Sequence, residues 1–333
     1  EQILLLFKSE ILKYFTNNEI FKIFCKNKKL LLFLIEEKII IVDQEITDTI
    51  ISRKFKYLGY RQFFYPEIKP FINKRIGVSF DDFFDDKYTE QSENVQLPEN
   101  FYENRKKGEM DGQIFEIIRN DSIDEFIVYI NKYNYKIDDR FKVSFYETIS
   151  FLVDEYWISI IDYALFYGAI QIVKYLLLNH ISFDKNSWIC AIHGNNPEII
   201  NLLEEKKIES TNYKKILTEA IKCHHNDMAR YIKDNYLSDN NLLEDARKYR
   251  EYDRDPVYNT KVEFNFLAKC LHFNNFELID VDSINESCFY YLCKYGYYHL
   301  VKILLNTQKI SINEVEIFNY HYFSYLIQNK FNL

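Results

Sequence analysis

The sequence predicts an all-α chain, an α-solenoid of degenerate helix–turn–helix repeats. Three observations carry this. Apolar residues recur at spacings of three and four along most of the chain, the period of a helix with one buried face. Two copies of one pattern lie side by side between Ile160 and Ile208. In the first, Ala164 is followed by Gly168, Ile170, Ile172, Val173, Leu176 and Leu177; in the second, Ala191 is followed by Asn195, Pro197, Ile199, Ile200, Leu202 and Leu203. Finally, 7 glycines and 5 prolines in 333 residues leave little material for tight β-turns.

The elements follow in order. Residues 1–23 read as two helices, with Thr16 or Asn17 as the cap between them. Residues 24–42 contain LLFLIEEKI, a degenerate copy of the later INLLEEKKI, and a helix follows in DQEITDTIISRKF. PEIKPFI lines up with the later PEIINLL, and proline suits a first helical turn, where no N–H partner is lost. Residues 1–78 are therefore an N-terminal helical region of eroded repeats.

Residues 79–112 break the period. They carry ten acidic and four basic residues and read as an acidic loop or insertion, a solvated linker or else an acidic–aromatic contact segment centred on Asp81, Asp82, Phe83, Phe84, Asp85 and Asp86. Repeats resume over 113–333. Asp121 sits at a turn, and KIDDRFKVSFYETISFLVDEYW bridges to the unit at 160–180. Ala220 and Cys270 take the small-residue position, and Gly296 stands at another turn. Residues 234–260 are a charged insertion with one helix at 240–250. A small residue lets neighbouring first helices approach, glycine suits a left-handed turn, and the apolar second helix needs a neighbour to bury its face.

The net charge of −8 argues against nucleic acid as the main partner, because neutralising phosphates needs a basic surface. Cysteines at 25, 190, 223, 270, 288 and 293 form no disulfide-like framework and read as reduced thiols of a cytoplasmic protein. The most apolar run, Leu30 to Val42, is interrupted by Glu36, Glu37 and Lys38 and is too short to span a bilayer, so no membrane insertion is expected. No secretory signal is legible in a chain that opens on Glu1.

The template of a small residue, a glycine four positions on, and a run of Ile/Val and Leu-Leu resembles the ankyrin repeat. YALFYGAIQIVKYLLLN and YLCKYGYYHLVKILLNT match it best. Ser159, Ile160, Ile161 and Asp162 stand where that repeat opens with Thr-Pro-Leu-His. DEFIVYINKY, FYETISFL, WICAIHGNNPEIINLLEE and EAIKCHHNDMARYI together resemble the trichomonad-type family of ankyrin-repeat proteins with a conserved amino-terminal domain of unknown function. The resemblance implies an α-solenoid and protein–protein interaction, and no catalytic residues.

Cys190 and His193, with Cys223, His224 and His225, raise a metal reading. Zinc ligands come in compact paired spacings, which these lack, so no metal or cofactor is expected. On that reading Cys190 fills a core position and the histidines cap or face solvent. Trp157 and Trp188 are expected as packing anchors. The first-helix side facing away from the second helix carries Phe166, His193, Lys222, His272 and Lys294, and the following turns add Tyr167, His224, His225, Tyr295 and Tyr297. Aromatic and histidine side chains there suit a protein partner. The expected function is a non-enzymatic interaction module or scaffold. A structural part of a larger assembly, such as a cytoskeletal or axonemal lattice, is the alternative; a metal- or thiol-dependent enzyme is a third reading.

Overall fold

The computed structural model describes residues 1–52, 59–72, 97–155, 157–208, 212–237, 266–279, 292, 295–297 and 299–302. These are mostly helical and divide into two compact units, Glu1–Tyr163 and Ala164–Leu333.

In the first unit α1 (Gln2–Leu6), α2 (Lys8–Tyr14) and α3 (Asn17–Phe24) open the chain, so the amino-terminal stretch breaks into three helices rather than two. Thr16 caps α3 with a capping box: its Oγ1 accepts from Glu19 N at 3.3 Å, and its own N–H donates to the Glu19 carboxylate at 2.8 Å. Asn27 and Asp43 cap α4 (Lys28–Glu36) and α5 (Gln44–Ile51) from one side, their side-chain oxygens accepting from the N–H groups of Leu30 and Ile46, both at 2.9 Å. Ile20, Phe21, Leu31, Leu34, Ile46, Ile50, Phe63, Phe64 and Ile68 form one buried core. The PEIKPFI segment yields one turn, α7 (Tyr65–Ile68), after α6 (Tyr60–Phe63), and then tightens to 3-10 geometry over Lys69–Phe71. Pro70 brings no N–H and cannot extend the α ladder.

Three expectations are corrected in this unit. Residues 97–112 are not a loop: α8 (Phe101–Lys107) lies there, with Phe101 and Arg105 buried. One Arg105 guanidinium nitrogen donates to both Glu67 carboxylate oxygens, at 2.9 and 2.8 Å, and the guanidinium packs over the rings of Phe63, Phe101 and Tyr102. The bridge after α9 (Gln113–Arg119) and α10 (Ile123–Lys132) is partly β. Strands β1 (Arg140–Lys142) and β2 (Trp157–Ser159) pair antiparallel, Phe141 opposite Ile158, on either side of α11 (Ser150–Glu155). The all-α expectation therefore holds for the bulk of the described residues but not for this ribbon. Trp157 lies on β2 and is 46% exposed, so it anchors no core. The acidic–aromatic segment at Asp81–Asp86 lies outside the described residues.

One buried polar knot ties distant parts of this unit together. Lys28 is 2% exposed and donates to the carbonyls of Phe145 at 3.1 Å and Glu147 at 3.0 Å. The Glu147 carboxylate accepts from the N–H groups of Met110, Thr148 and Ile149 at 3.2, 2.9 and 2.8 Å. Burial pulls the Lys28 ammonium down to about 7, opposed by the Glu147 charge, and burial likewise raises the Glu147 carboxyl.

Helix α12 (Ile160–Phe166) spans the division between the units. Beyond it the second unit alternates short and longer helices: α13 (Ile170–Leu178), α14 (Ser187–Gly194), α15 (Pro197–Glu205), α16 (Tyr213–Lys222), α17 (Asn226–Tyr236) and α18 (Phe266–His272). Helix α17 runs to Tyr236, so residues 234–236 finish a helix rather than begin an insertion. The helix expected at 240–250 lies outside the described residues. Trp188 is 1% exposed, as expected of a packing anchor.

One turn geometry recurs. The residue four after each expected small position has positive φ, namely Gly168, Asn195, His224 and Asn274; Gly296 and, in the first unit, Asp121 share it, four residues after Leu292 and Ile117. The next N–H reaches back five residues, Ala169 to Ala164, His225 to Ala220, Asn275 to Cys270 and Tyr297 to Leu292, at 2.8–3.0 Å. Longer helices end the same way with non-glycine residues: His180 and Lys207 have positive φ, and Ile181 and Ile208 donate to Leu176 and Leu203, both at 3.0 Å. Lys38 and Ile39 repeat this after α4, which matches the alignment of LLFLIEEKI with INLLEEKKI. Among the described residues, no helix is long and apolar enough to cross a membrane.

Candidate functional site

The residues singled out on first helices and turns fall into three groups. The first is a polar cluster between α14 and α16. His193, in the last turn of α14, places Nδ1 3.4 Å from the Cys223 Sγ and Nε2 3.1 Å from a Glu219 carboxylate oxygen. Glu219 and Cys223 are four residues apart, so both reach the same face at the end of α16. Lys222 Nζ donates to the same carboxylate oxygen at 2.8 Å. The Phe166 ring stacks on the imidazole, centroids 4.7 Å apart and planes 28° from parallel, and fixes its orientation.

The charges in this cluster are unequal. Burial alone would raise the Glu219 carboxyl, but hydrogen bonds from His193 and Lys222 outweigh it and hold it at about 2. Burial, then the Glu219 carboxylate, pushes the Cys223 thiol up to about 11, so it stays protonated near neutrality.

The second group links neighbouring helices within the second unit through side-chain bonds to backbone carbonyls. His225 Nδ1 lies 2.8 Å from Ile192 O, and His224, in left-handed geometry at φ 58°, sets Nε2 3.2 Å from Phe273 O. Asn196 Nδ2 donates to Gly168 O at 3.0 Å, and Asn275 Nδ2 donates to Ile221 O at 2.9 Å. These side chains therefore satisfy carbonyls at the ends of neighbouring helices.

The third group is aromatic. His272 is exposed and lies against Tyr295, centroids 5.0 Å apart. The Tyr297 hydroxyl donates to the carbonyls of Leu271 and Asn274, the latter at Oδ1 and 2.6 Å. Tyr167 is half-buried beside Phe166. Lys294 lies outside the described residues.

Two expected roles change. Phe166 is 7% exposed, so it supports the surface from beneath rather than meeting a partner. His193 neither caps a helix nor faces solvent, being held between Glu219 and Cys223. Of the five residues first weighed together for a metal, Cys190 is in the core at 4% exposure and both turn histidines reach carbonyls, which leaves His193 and Cys223. Glu219 was missed. Its signal was the i, i+4 spacing to Cys223, visible only once α16 is known to face His193. No protein-family model, no curated protein and no solved structure matches the chain.

Proposed function

We propose that the chain is a non-enzymatic interaction module, in which ankyrin-like helix–turn–helix units stack as a solenoid and bind a protein partner. The supporting observation is the turn of fixed geometry at Gly168, Asn195, His224 and Asn274, four residues after each small-residue position, and again at Gly296, four after Leu292. A recurrent turn presents side chains from equivalent points, the way a repeat array builds an extended binding surface. The exposed side chains at those points are Lys222, His224 and His272, with Tyr167, Tyr295 and Tyr297 half-buried beside them. The Cys223 thiol, raised to about 11, is a poor candidate for a nucleophile, since the thiolate is the attacking form.

The test is a native pull-down of the full chain, at low and high salt, beside a variant carrying Lys222→Ala, His224→Ala and His272→Ala. A partner lost in the triple variant, with the thermal transition preserved, supports the reading. A partner retained at equal recovery overturns the assignment of this face. One partner at near-equal abundance that resists high salt favours a subunit of a larger assembly over a transient adaptor.

A further inference from the structure

We infer that His193, Glu219 and Cys223 form a binding site for a single divalent transition-metal ion of the zinc class. The inference stands apart from the interaction reading and does not need it. Imidazole, carboxylate and thiolate are the three zinc-ligand types found in proteins. Here one atom of each lies within 4.8 Å of the other two. A tetrahedral zinc ion with ordinary bond lengths sets its ligand atoms about 3.3–3.6 Å apart. An ion takes one ring nitrogen: the thiol lies 3.4 Å from Nδ1, close to such an edge, while the Glu219 carboxylate now faces Nε2, at 3.1 Å. The three ligand atoms stand within 4.8 Å of one another, so the ring or the carboxylate must turn to bring thiol and carboxylate to a common nitrogen.

Placement favours the same reading. Glu219 and Cys223 come from one helix end and His193 from the facing helix, so an ion would brace α14 against α16. The ligands are half-buried, screened from bulk water yet reachable from it. The Phe166 stack holds the ring plane. Binding exchanges one imidazole contact for a metal bond and displaces Lys222 from the carboxylate oxygen it now holds. The S–metal bond forms as the thiol proton leaves to solvent. Three protein ligands leave the fourth position to water.

The full chain, reduced and stripped with chelator, is titrated with Co2+ and followed by absorbance. One equivalent should give a sulfur-to-cobalt charge-transfer band with strong visible bands, and Zn2+ should bleach both. Cys223→Ser should abolish the charge-transfer band and Cys25→Ser should keep it. Glu219→Gln should keep the band while weakening affinity by about tenfold or more. It preserves side-chain shape, so it remains decisive if Cys223→Ser does not fold. Zn2+ should raise the thermal transition of the wild type but not that of Cys223→Ser. A chain that takes up no Co2+ overturns the inference; so does a charge-transfer band that survives in Cys223→Ser, or an affinity unchanged in Glu219→Gln.

Discussion

Gly168 and Gly194 meet backbone to backbone. A Cβ on Gly168 would lie 2.8 Å from the Gly194 carbonyl oxygen, and a Cβ on Gly194 would lie 2.2 Å from Leu165 O and 2.8 Å from the Gly168 nitrogen. Neither neighbour is a flexible side chain, so relief requires moving a helix end. Gly194→Ala should cost about 3 kcal/mol of stability. Gly168→Val should destabilise as well, because it adds the left-handed backbone penalty at φ 69° to the same collision. Gly296 shares the positive φ but has open space around it, so Gly296→Ala should cost only about 1 kcal/mol. Denaturant unfolding of the three variants checks the order; equal losses would refute it.

Lys28 gives stability a pH dependence whose sign follows from its environment. The unfolded side chain keeps its proton to about 10.5, whereas the buried one loses it at about 7. Between those values the unfolded chain binds more protons, so stability rises with pH. From pH 7 to 9 the rise should reach ~2 kcal/mol. Above pH 9 buried thiols such as Cys270, pushed up to about 12 by burial, act in the opposite direction. Lys28→Met should remove the rise between pH 7 and 9. A wild type and variant with parallel profiles would show that Lys28 is not the titrating group.

In the Arg105–Glu67 pair the arginine is buried and the glutamate half-buried, with side-chain exposures of 6% and 18%. Arg105→Ala strips Glu67 of its counter-ion and the Phe63 carbonyl of a donor, and should cost about 3–4 kcal/mol. Arg105→Lys should recover only part of this, because an ammonium cannot reproduce the planar stacking on Phe101 and Tyr102. Full recovery by lysine would mean that charge alone matters.

Local signals were read well where one residue type dictates the backbone. Gly168, Asp121 and Gly296 marked turns, Thr16 marked a cap, and the Leu/Ile period of α13 and α15 marked buried faces. What escaped the sequence needed tertiary context. Helix α8 is legible only once Arg105 has Glu67 to pair with, because FYENRKK has no apolar period of its own. His180, His224 and Lys207 adopt left-handed geometry without being glycine, held there by the bonds that close each helix end. The Glu219 partnership with His193 depends on two helices facing each other, which no spacing along the chain encodes.

The two tryptophans report on opposite environments. Trp188 is buried, with its indole N–H donating to Ile208 O at 2.6 Å, while Trp157 is half-exposed on β2. Acrylamide should quench Trp188→Phe strongly, since only Trp157 remains, and Trp157→Phe weakly. The reverse order would contradict the placement of both.

Photo-crosslinking probes whether first-helix ends and their turns form the proposed partner-binding face. A photoreactive amino acid is introduced at position 224 or 272, and at position 178 as a control, because Leu178 is also exposed but ends α13, which follows the turn at Gly168. One shared crosslinked partner is expected from 224 and 272 and none from 178. Capture of that partner from 178 alone would place the binding surface elsewhere and contradict the proposal.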